Sequence, residues 1–204
     1  MSKHLQDRDY TLIIDRSGSM ALRDLPGGKS RWAEARESTF AVASKCAEFD
    51  PDGITVYLFN SRPKRFDNTT PEKVLQLFDE YEPVGGTNLS GVLDDALGNY
   101  FQRKAAGQAK AQGEIFVVVT DGEPDDQRSV MKTIIDATRK LAHDKEIGIS
   151  FLQVGNDAGA TRFPKALDDE LTRAGAKFDI VDTMTFDELA DRSIKDVLLG
   201  SLFD

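Results

Sequence analysis

The chain has very little cysteine and no long apolar run. Its 204 residues include a single cysteine, Cys46, so no disulfide can form within the chain. A reducing, cytoplasmic setting is therefore expected. No apolar run approaches the ~20 residues that a membrane-spanning helix needs, and the first residues lack the apolar stretch of a signal peptide. These absences predict a protein that does not cross a membrane.

Clusters of basic residues are also missing. The formal net charge is −9, and no run of lysine and arginine offsets it locally. This charge disfavours binding to nucleic acid or to an anionic membrane surface. With 30% charged and 40% hydrophobic residues, the composition is that of an ordinary soluble domain. We expect a single domain over residues 9–204, preceded by a polar, flexible tail at residues 1–8.

Short apolar segments alternate with longer amphipathic ones along the domain. The apolar segments are typical of strands buried on both faces, and the amphipathic ones repeat apolar residues every three or four positions, as helices do. This alternation predicts an α/β fold with a mostly parallel, doubly wound sheet between two layers of helices. Strands are expected at residues 10–14, 54–59, 115–120, 147–154 and 178–181, with a short one near 64–67. Helices are expected at residues 32–49, 71–81, 89–100, 130–141, 163–174 and 187–202.

Polar residues follow two of the predicted strands, at the point where each strand ends. Asp15, Ser17 and Ser19 occupy alternate positions after the first strand, and Asp121 follows the strand at 115–120. Crossovers between parallel strands are right-handed, so these carboxyl ends share one edge of the sheet. Thr87 adds a hydroxyl from a glycine-rich loop between them. Carboxylate and hydroxyl oxygens suit a hard cation such as Mg²⁺, so the five residues predict a divalent metal site.

Each part of this pattern also has a purely structural interpretation. The Asp-x-Ser-x-Ser spacing occurs in helix caps and turns, and Thr87 or Asn88 can cap the helix that begins at residue 89. The metal site is favoured because the three parts occur together, in order, at one predicted edge. Other polar residues expected there as helix-terminal or turn residues are Glu123, Asp125, Asp126 and the run Asn156-Asp157-Ala158-Gly159.

Three short motifs together resemble the metal-ion-dependent adhesion site of von Willebrand factor type A domains. They are Asp15-Arg16-Ser17-Gly18-Ser19-Met20, Gly86-Thr87 and Thr120-Asp121-Gly122, and the similarity in element order spans nearly the whole chain. The resemblance implies a sheet of about six strands, mostly parallel, with one short antiparallel edge strand. Residues 64–67 are the candidate for that edge strand.

The resemblance also assigns a role to each residue of the site. It implies that Ser17, Ser19 and Thr87 are hydroxyl ligands, and that Asp15 and Asp121 are carboxylate ligands, bound directly or through water. The usual ion of the family is Mg²⁺, with Mn²⁺ or Ca²⁺ as substitutes. A partner's Asp or Glu commonly completes the coordination sphere.

The function implied is that of a non-enzymatic, metal-dependent protein-binding module. Two carboxylates only balance a divalent charge and hydroxyls add little electron density, so the ion stays open to an acidic side chain of a protein partner. Bacterial intracellular relatives often work beside AAA-type ATPases or in stress and tellurite-resistance systems, which suggests an adaptor role. In many relatives a movement of the last helix, here residues 187–202, is coupled to metal coordination.

Two other functions are compatible with the same residues. A Mg²⁺-dependent phosphoryl-transfer enzyme also places an aspartate at a strand end, but it needs a second aspartate two residues later as acid or base. Ser17 stands at that position, and no histidine, cysteine or lysine is evident within reach. In the other alternative, the ion serves only to stabilise the fold as a scaffold.

Overall fold

A six-stranded sheet forms the centre of the protein. The structure is a computed structural model that describes residues 2–122, 124–155 and 158–203. The strand order is β3-β2-β1-β4-β5-β6, and every neighbouring pair is parallel except β2 with β3, which is antiparallel. The strands are β1 (Asp9–Asp15), β2 (Ile54–Phe59), β3 (Pro63–Thr69), β4 (Glu114–Thr120), β5 (Ile147–Gln153) and β6 (Val181–Thr185). The predicted mostly parallel sheet with one antiparallel edge strand is confirmed.

Helices cover both faces of this sheet. They are α1 (Arg31–Phe49), α2 (Pro71–Glu80), α3 (Leu89–Ala105), α4 (Gln127–Thr138), α5 (Ala158–Glu170), α6 (Phe186–Asp191) and α7 (Ile194–Phe203). Buried residues of α1, α2, α6 and α7 pack in one core, and those of α3, α4 and α5 in the other. The three-layer arrangement of the prediction is therefore present. No helix in the described parts of the chain is long and apolar enough to span a bilayer.

The first strand shows how the sequence divides between the two cores. Leu12 and Ile14 belong to the core beneath α1, whereas Ile13 belongs to the core beneath α3. Successive side chains of a strand point to opposite faces, so a strand covered on both sides has to be apolar at every position. This explains why β1 and β4 are recognisable in the sequence as largely apolar runs.

The strand order reverses between β1 and β4. From β1 the chain continues to β2 on one side, while from β4 it continues to β5 on the other. A crevice forms outside the carboxyl ends of the strands at such a reversal, and ligands of open α/β sheets bind there. Asp15 is the last residue of β1 and Thr120 the last of β4. The predicted site therefore lies at the reversal point.

Two predicted elements near the C-terminus need correction. The last strand was expected at residues 178–181, but β6 covers Val181–Thr185. As an edge strand paired only with β5, it is half-buried and carries polar threonines, so its apolar content does not mark it. The single helix expected at residues 187–202 is two helices, α6 and α7. The Ser193 hydroxyl accepts from the backbone N–H of Asp196, which starts a new helix.

The segment before β1 is packed, although residues 1–8 were predicted to be a flexible tail. Leu5 and Arg8 are fully buried. The Arg8 guanidinium donates to the carbonyl oxygens of Lys145 (2.7 Å) and Glu146 (3.3 Å), and the Tyr10 hydroxyl donates to that of Leu5. These contacts satisfy a buried charge with backbone oxygens, so the packed chain begins before residue 9.

Candidate metal centre

Asp15 is the most deeply buried residue of the predicted site. It has no exposed surface. One of its carboxylate oxygens accepts a hydrogen bond from the backbone N–H of Ser17 and the other accepts from the Thr120 hydroxyl, both at 2.7 Å. Burial raises the pKa of this carboxyl to about 6; the Ser17 N–H opposes the shift, and the nearby Asp121 charge adds to it. Among the described residues, no lysine or arginine contacts Asp15.

The two serines link Asp15 to Asp121. The hydroxyl oxygens of Ser17 and Ser19 lie 3.1 Å apart, and the Ser19 hydroxyl donates to Asp121 Oδ1 at 3.0 Å. Asp121 is itself buried, at 2% exposure. Four of the five predicted ligands thus form one hydrogen-bonded cluster at the carboxyl ends of β1 and β4. Oxygen atoms from two carboxylates and two hydroxyls face one another there.

Thr87 reaches the same edge through its loop. The N–H of Gly18 donates to the carbonyl oxygen of Gly85 at 3.0 Å. This bond joins the glycine-rich loop to the serine loop, residues 16–19, which carries Ser17 and Ser19. Gly85 has φ +86°, a left-handed conformation that favours glycine. On the other side, Thr87 and Asp125 exchange two hydrogen bonds of 3.0 Å, one through the Asp125 carboxylate. Within the described chain, the Thr87 hydroxyl makes no direct hydrogen bond to the other four predicted ligands.

Arg31 is a residue of the site that sequence reasoning missed. Its Nη1 donates to Asp121 Oδ2 at 3.0 Å, while its Nε and Nη2 hold the carboxylate of Asp24 at 3.0 and 2.5 Å. Arg31 is the first residue of α1, where a cation opposes the positive end of the helix dipole. That unfavourable placement was the one available signal, since no periodicity or motif marks the residue.

Two of the remaining polar residues at this edge cap helices. Asn88 caps α3 by accepting from the N–H of Gly91, and Asp126 caps α4 by accepting from the N–H of Ser129, both at 3.1 Å. These contacts confirm the capping interpretations for Asn88 and Asp126. The predictions for Glu123 and for Asn156-Asp157 fall outside the described residues.

The donor set fits a small, hard cation. Within residues 2–122, 124–155 and 158–203, no three Asp, Glu, His or Cys side chains come together as metal ligands. The cluster described above has two carboxylates instead, and its other oxygens are hydroxyls. Mg²⁺ is held by one or two protein carboxylates and keeps several other oxygen ligands, often water. The residues present therefore suit Mg²⁺ or Mn²⁺ better than a metal that requires nitrogen or sulfur.

The sequence of this region matches a family model described as the von Willebrand factor type A domain. The match covers residues 10–123, more than half of the chain, and runs from β1 through Asp121. The chain belongs to the von Willebrand factor type A domain family. Domains of this family mediate metal-dependent protein interactions.

Comparison with solved structures supports the same fold. The manganese-loaded TRAP protein of Plasmodium vivax aligns with 96% of this chain and 72% of its own, at 15% identity and a TM-score of 0.58. At that identity the similarity bears on the fold alone. Three N-terminal domains of Mfa5, a type V pili tip protein of Porphyromonas gingivalis, align less well: 57% of this chain and 20% of theirs, 18% identity, TM-score 0.40. A search of curated proteins found no match.

Proposed function

We propose that this von Willebrand factor type A domain is a metal-dependent protein-binding module. A divalent cation held by Asp15, Ser17, Ser19, Thr87 and Asp121 would capture an acidic side chain of a partner protein. The observation that carries the proposal is the state of Asp15, a fully buried carboxylate that contacts hydroxyls and an N–H but no basic side chain of the described residues. Burying an uncompensated charge is costly, and a bound cation supplies the missing compensation.

Mg²⁺ is the ion that we propose. The Asp15 and Asp121 carboxylates would neutralise its charge, directly or through water, and the hydroxyls of Ser17, Ser19 and Thr87 would complete the protein's share of its ligands. The bound ion supplies an electrophilic position that an external carboxylate can occupy. The Plasmodium TRAP protein, which shares this fold, was loaded with manganese. We therefore expect Mn²⁺ to substitute for Mg²⁺.

A binding role accounts for the surroundings of the site better than catalysis does. Among the described residues, the hydrogen-bond partners of Asp15 and Asp121 are hydroxyls, a backbone N–H and the Arg31 guanidinium. An arginine stays protonated and hydroxyls have very high pKa values, so apart from the two carboxylates assigned to the metal none of these groups would serve as a general acid or base near neutral pH. We propose that the module is non-enzymatic, with phosphoryl transfer as the rejected alternative.

The rim of the site offers apolar surface to a partner. Leu22 and Val84 are among the few large apolar side chains exposed in the described chain, at 49% and 56%. Leu22 follows the serine loop, and the N–H of Val84 donates to the carbonyl oxygen of Arg16 within that loop. A partner whose acidic residue is flanked by apolar side chains would bury both, so we propose a protein partner of this kind.

Metal titration tests the first half of the proposal. Calorimetric titration of Mg²⁺ and Mn²⁺ into metal-free protein is expected to show one site, lost in Asp15→Asn and in Ser17→Ala. Ser44→Ala is the matched control, because the Ser44 hydroxyl bonds the Phe40 carbonyl oxygen within α1, away from the site. Absence of metal binding in the intact protein would overturn the proposal.

Partner capture tests the second half. The immobilised protein is incubated with an extract of the source cells in Mg²⁺, washed, and then eluted with chelator. A protein partner eluted by chelator, absent with Asp15→Asn and reduced with Leu22→Ser, is the expected result. A partner that binds equally well in chelator would show that the domain works as a metal-independent scaffold.

A further inference from the structure

The two carboxylates of the metal centre are compensated unequally. Asp15 has no basic neighbour among the described residues, whereas Asp121 pairs with Arg31 across 3.0 Å. Both partners of that pair are buried, with side-chain exposures of 10% and 2%. Charges buried in this way are screened far less than charges in solvent. Arg31 therefore adds positive charge to the surroundings of any cation that binds there, and its ion pair with Asp24 offsets part of that charge.

Arg31 does not block the face of Asp121 that points to the serines. Oδ1 of Asp121 accepts from the Ser19 hydroxyl, and Oδ2 accepts from Arg31. One carboxylate oxygen thus belongs to the candidate metal cluster while the other belongs to the arginine. The geometry allows a metal and Arg31 to share Asp121, with the two cations on opposite sides of one carboxylate.

The net charge of the buried groups follows directly. Asp15, Asp121 and Arg31 together carry a charge of −1, which is one short of what a divalent cation needs for neutrality. Asp24 pairs with Arg31 at 2.5 Å, but it is exposed, as is Asp125, so water weakens the contribution of both charges at the site. A site of this kind binds its metal weakly by itself and carries a net positive charge once loaded.

We propose that Arg31 is an internal counter-cation, whose charge lowers the affinity of the centre for its metal. An acidic ligand from outside then supplies the negative charge that the loaded site lacks. This inference rests on the proposed function and deepens it. A partner carboxylate and the metal then bind with positive cooperativity, because each supplies the charge that the other lacks. Asp24 positions Arg31 from outside by holding its Nε and Nη2. Arg31 acts on the metal by its charge, from the far oxygen of Asp121.

Metal affinity in a set of charge variants tests the electrostatic claim. Arg31→Gln removes the charge and leaves a shorter, polar side chain, so Mg²⁺ and Mn²⁺ are expected to bind roughly tenfold more tightly. Arg31→Lys keeps the charge and is expected to stay within about threefold of wild type. Asp24→Asn leaves the Arg31 charge less compensated and is expected to weaken binding. Arg36→Gln is the matched control, because Arg36 lies on the same helix as Arg31 and forms an exposed pair with Asp79 of α2.

The direction of the change in metal affinity distinguishes an electrostatic role of Arg31 from a purely structural one. If Arg31 only held Asp121 in place, Arg31→Gln would weaken metal binding and Arg31→Lys would not restore it. That result, or equal affinity in Arg31→Gln and wild type, would overturn the proposal. If Arg31→Gln does not fold without metal, the pair Arg31→Lys and Asp24→Asn still decides, since only the charge model leaves the first unchanged and weakens the second.

Acetate serves as the probe for the acidic ligand. Mg²⁺ is titrated in sodium acetate and in sodium chloride of equal ionic strength. Tighter binding in acetate for wild type, with a smaller gain for Arg31→Gln, is expected. Equal Mg²⁺ affinity in the two salts would overturn the proposed cooperativity between the metal and a carboxylate ligand. The proposed function can fail independently of this inference. If the wild-type protein binds no metal but Arg31→Gln does, Arg31 is confirmed as the group that suppresses metal binding, and the proposal of a metal-dependent module is overturned for the wild type.

Discussion

Buried carboxylates at the two ends of the parallel strands differ in how their charges are compensated. At the edge where the parallel strands begin, Glu114 pairs with Arg103, and Glu146 with Lys104 and the Tyr100 hydroxyl. Asp50, which precedes β2, pairs with Lys110. At the edge where the strands end, Asp15 is just as buried but has only hydroxyl and N–H partners among the described residues. The carboxylates of the first edge are neutralised internally, whereas at the other edge only Asp121 has a basic partner, Arg31, and Asp15 is left for an ion.

This difference separates structural from functional use of the same residue type. A buried ion pair that is already complete has nothing to gain from a ligand, and breaking it costs stability. A buried carboxylate without a counter-ion costs stability in the free protein, and that cost is offset when a cation binds. Experiments on stability alone can therefore distinguish the two edges.

The largest expected effect is at the edge where the strands begin. Gly113 has φ +88°, and a Cβ there would overlap the carbonyl oxygen of Glu146. Gly113→Ala is expected to lower the free energy of unfolding by about 3 kcal/mol, measured by urea denaturation of metal-free protein. Gly122→Ala, at the opposite edge, meets open space and should stay within about 0.5 kcal/mol of wild type. Equal losses in the two variants would contradict the difference in packing.

The next largest effect comes from removing a cation of that edge. Arg103 pairs with both Asp9 and Glu114. Arg103→Met leaves Glu114 without a basic partner among the described residues, while Asp9 keeps Lys110, and is expected to cost about 2 kcal/mol of unfolding free energy. Arg36→Met, which removes an exposed pair, is expected to cost under about 0.5 kcal/mol. Equal losses of unfolding free energy in Arg103→Met and Arg36→Met would contradict this prediction.

A smaller change of opposite sign is expected at the metal edge. Asp15→Asn removes the uncompensated charge and keeps the shape and the acceptor for the Ser17 N–H. We expect metal-free Asp15→Asn to be more stable than wild type by about 1 kcal/mol. Saturating Mg²⁺ should raise the melting temperature of wild type and leave that of the variant unchanged. A variant less stable than wild type without metal would show that Asp15 is structurally compensated after all.

The smallest expected effect is a change in the slope of the unfolding free energy against pH. Burial raises the pKa of Glu114 from 4.5 to about 7, although the Arg103 charge opposes the shift. The folded state therefore binds more protons than the unfolded state between these values, and its stability falls as pH rises from about 4.5 to 7. Glu114→Gln is expected to flatten this part of the profile of unfolding free energy against pH. A profile equally steep in the variant would assign the slope to another group.

The central strands and the site motifs could be predicted from sequence because they follow local rules. β1, β2 and β4 are buried on both faces, so burial appears directly as apolar runs. The residues of the site follow β1 and β4 within a few positions, and chain direction alone brings those strand ends to one edge. β6 and the division between α6 and α7 were not predictable in this way, because an edge strand and a helix break depend on what packs beside them.

What the sequence determined by itself is the chemistry available at one edge of the sheet: two aspartates, two serines and a threonine at strand ends and in one loop. The tertiary structure decided which of these charges are compensated. Arg31 lies 90 positions before Asp121, and Arg103 lies 94 positions after Asp9. Such pairs form only when α1 and α3 are laid against the strands they cover. Electrostatic compensation depends on distance in space, and local patterns along the chain do not record it.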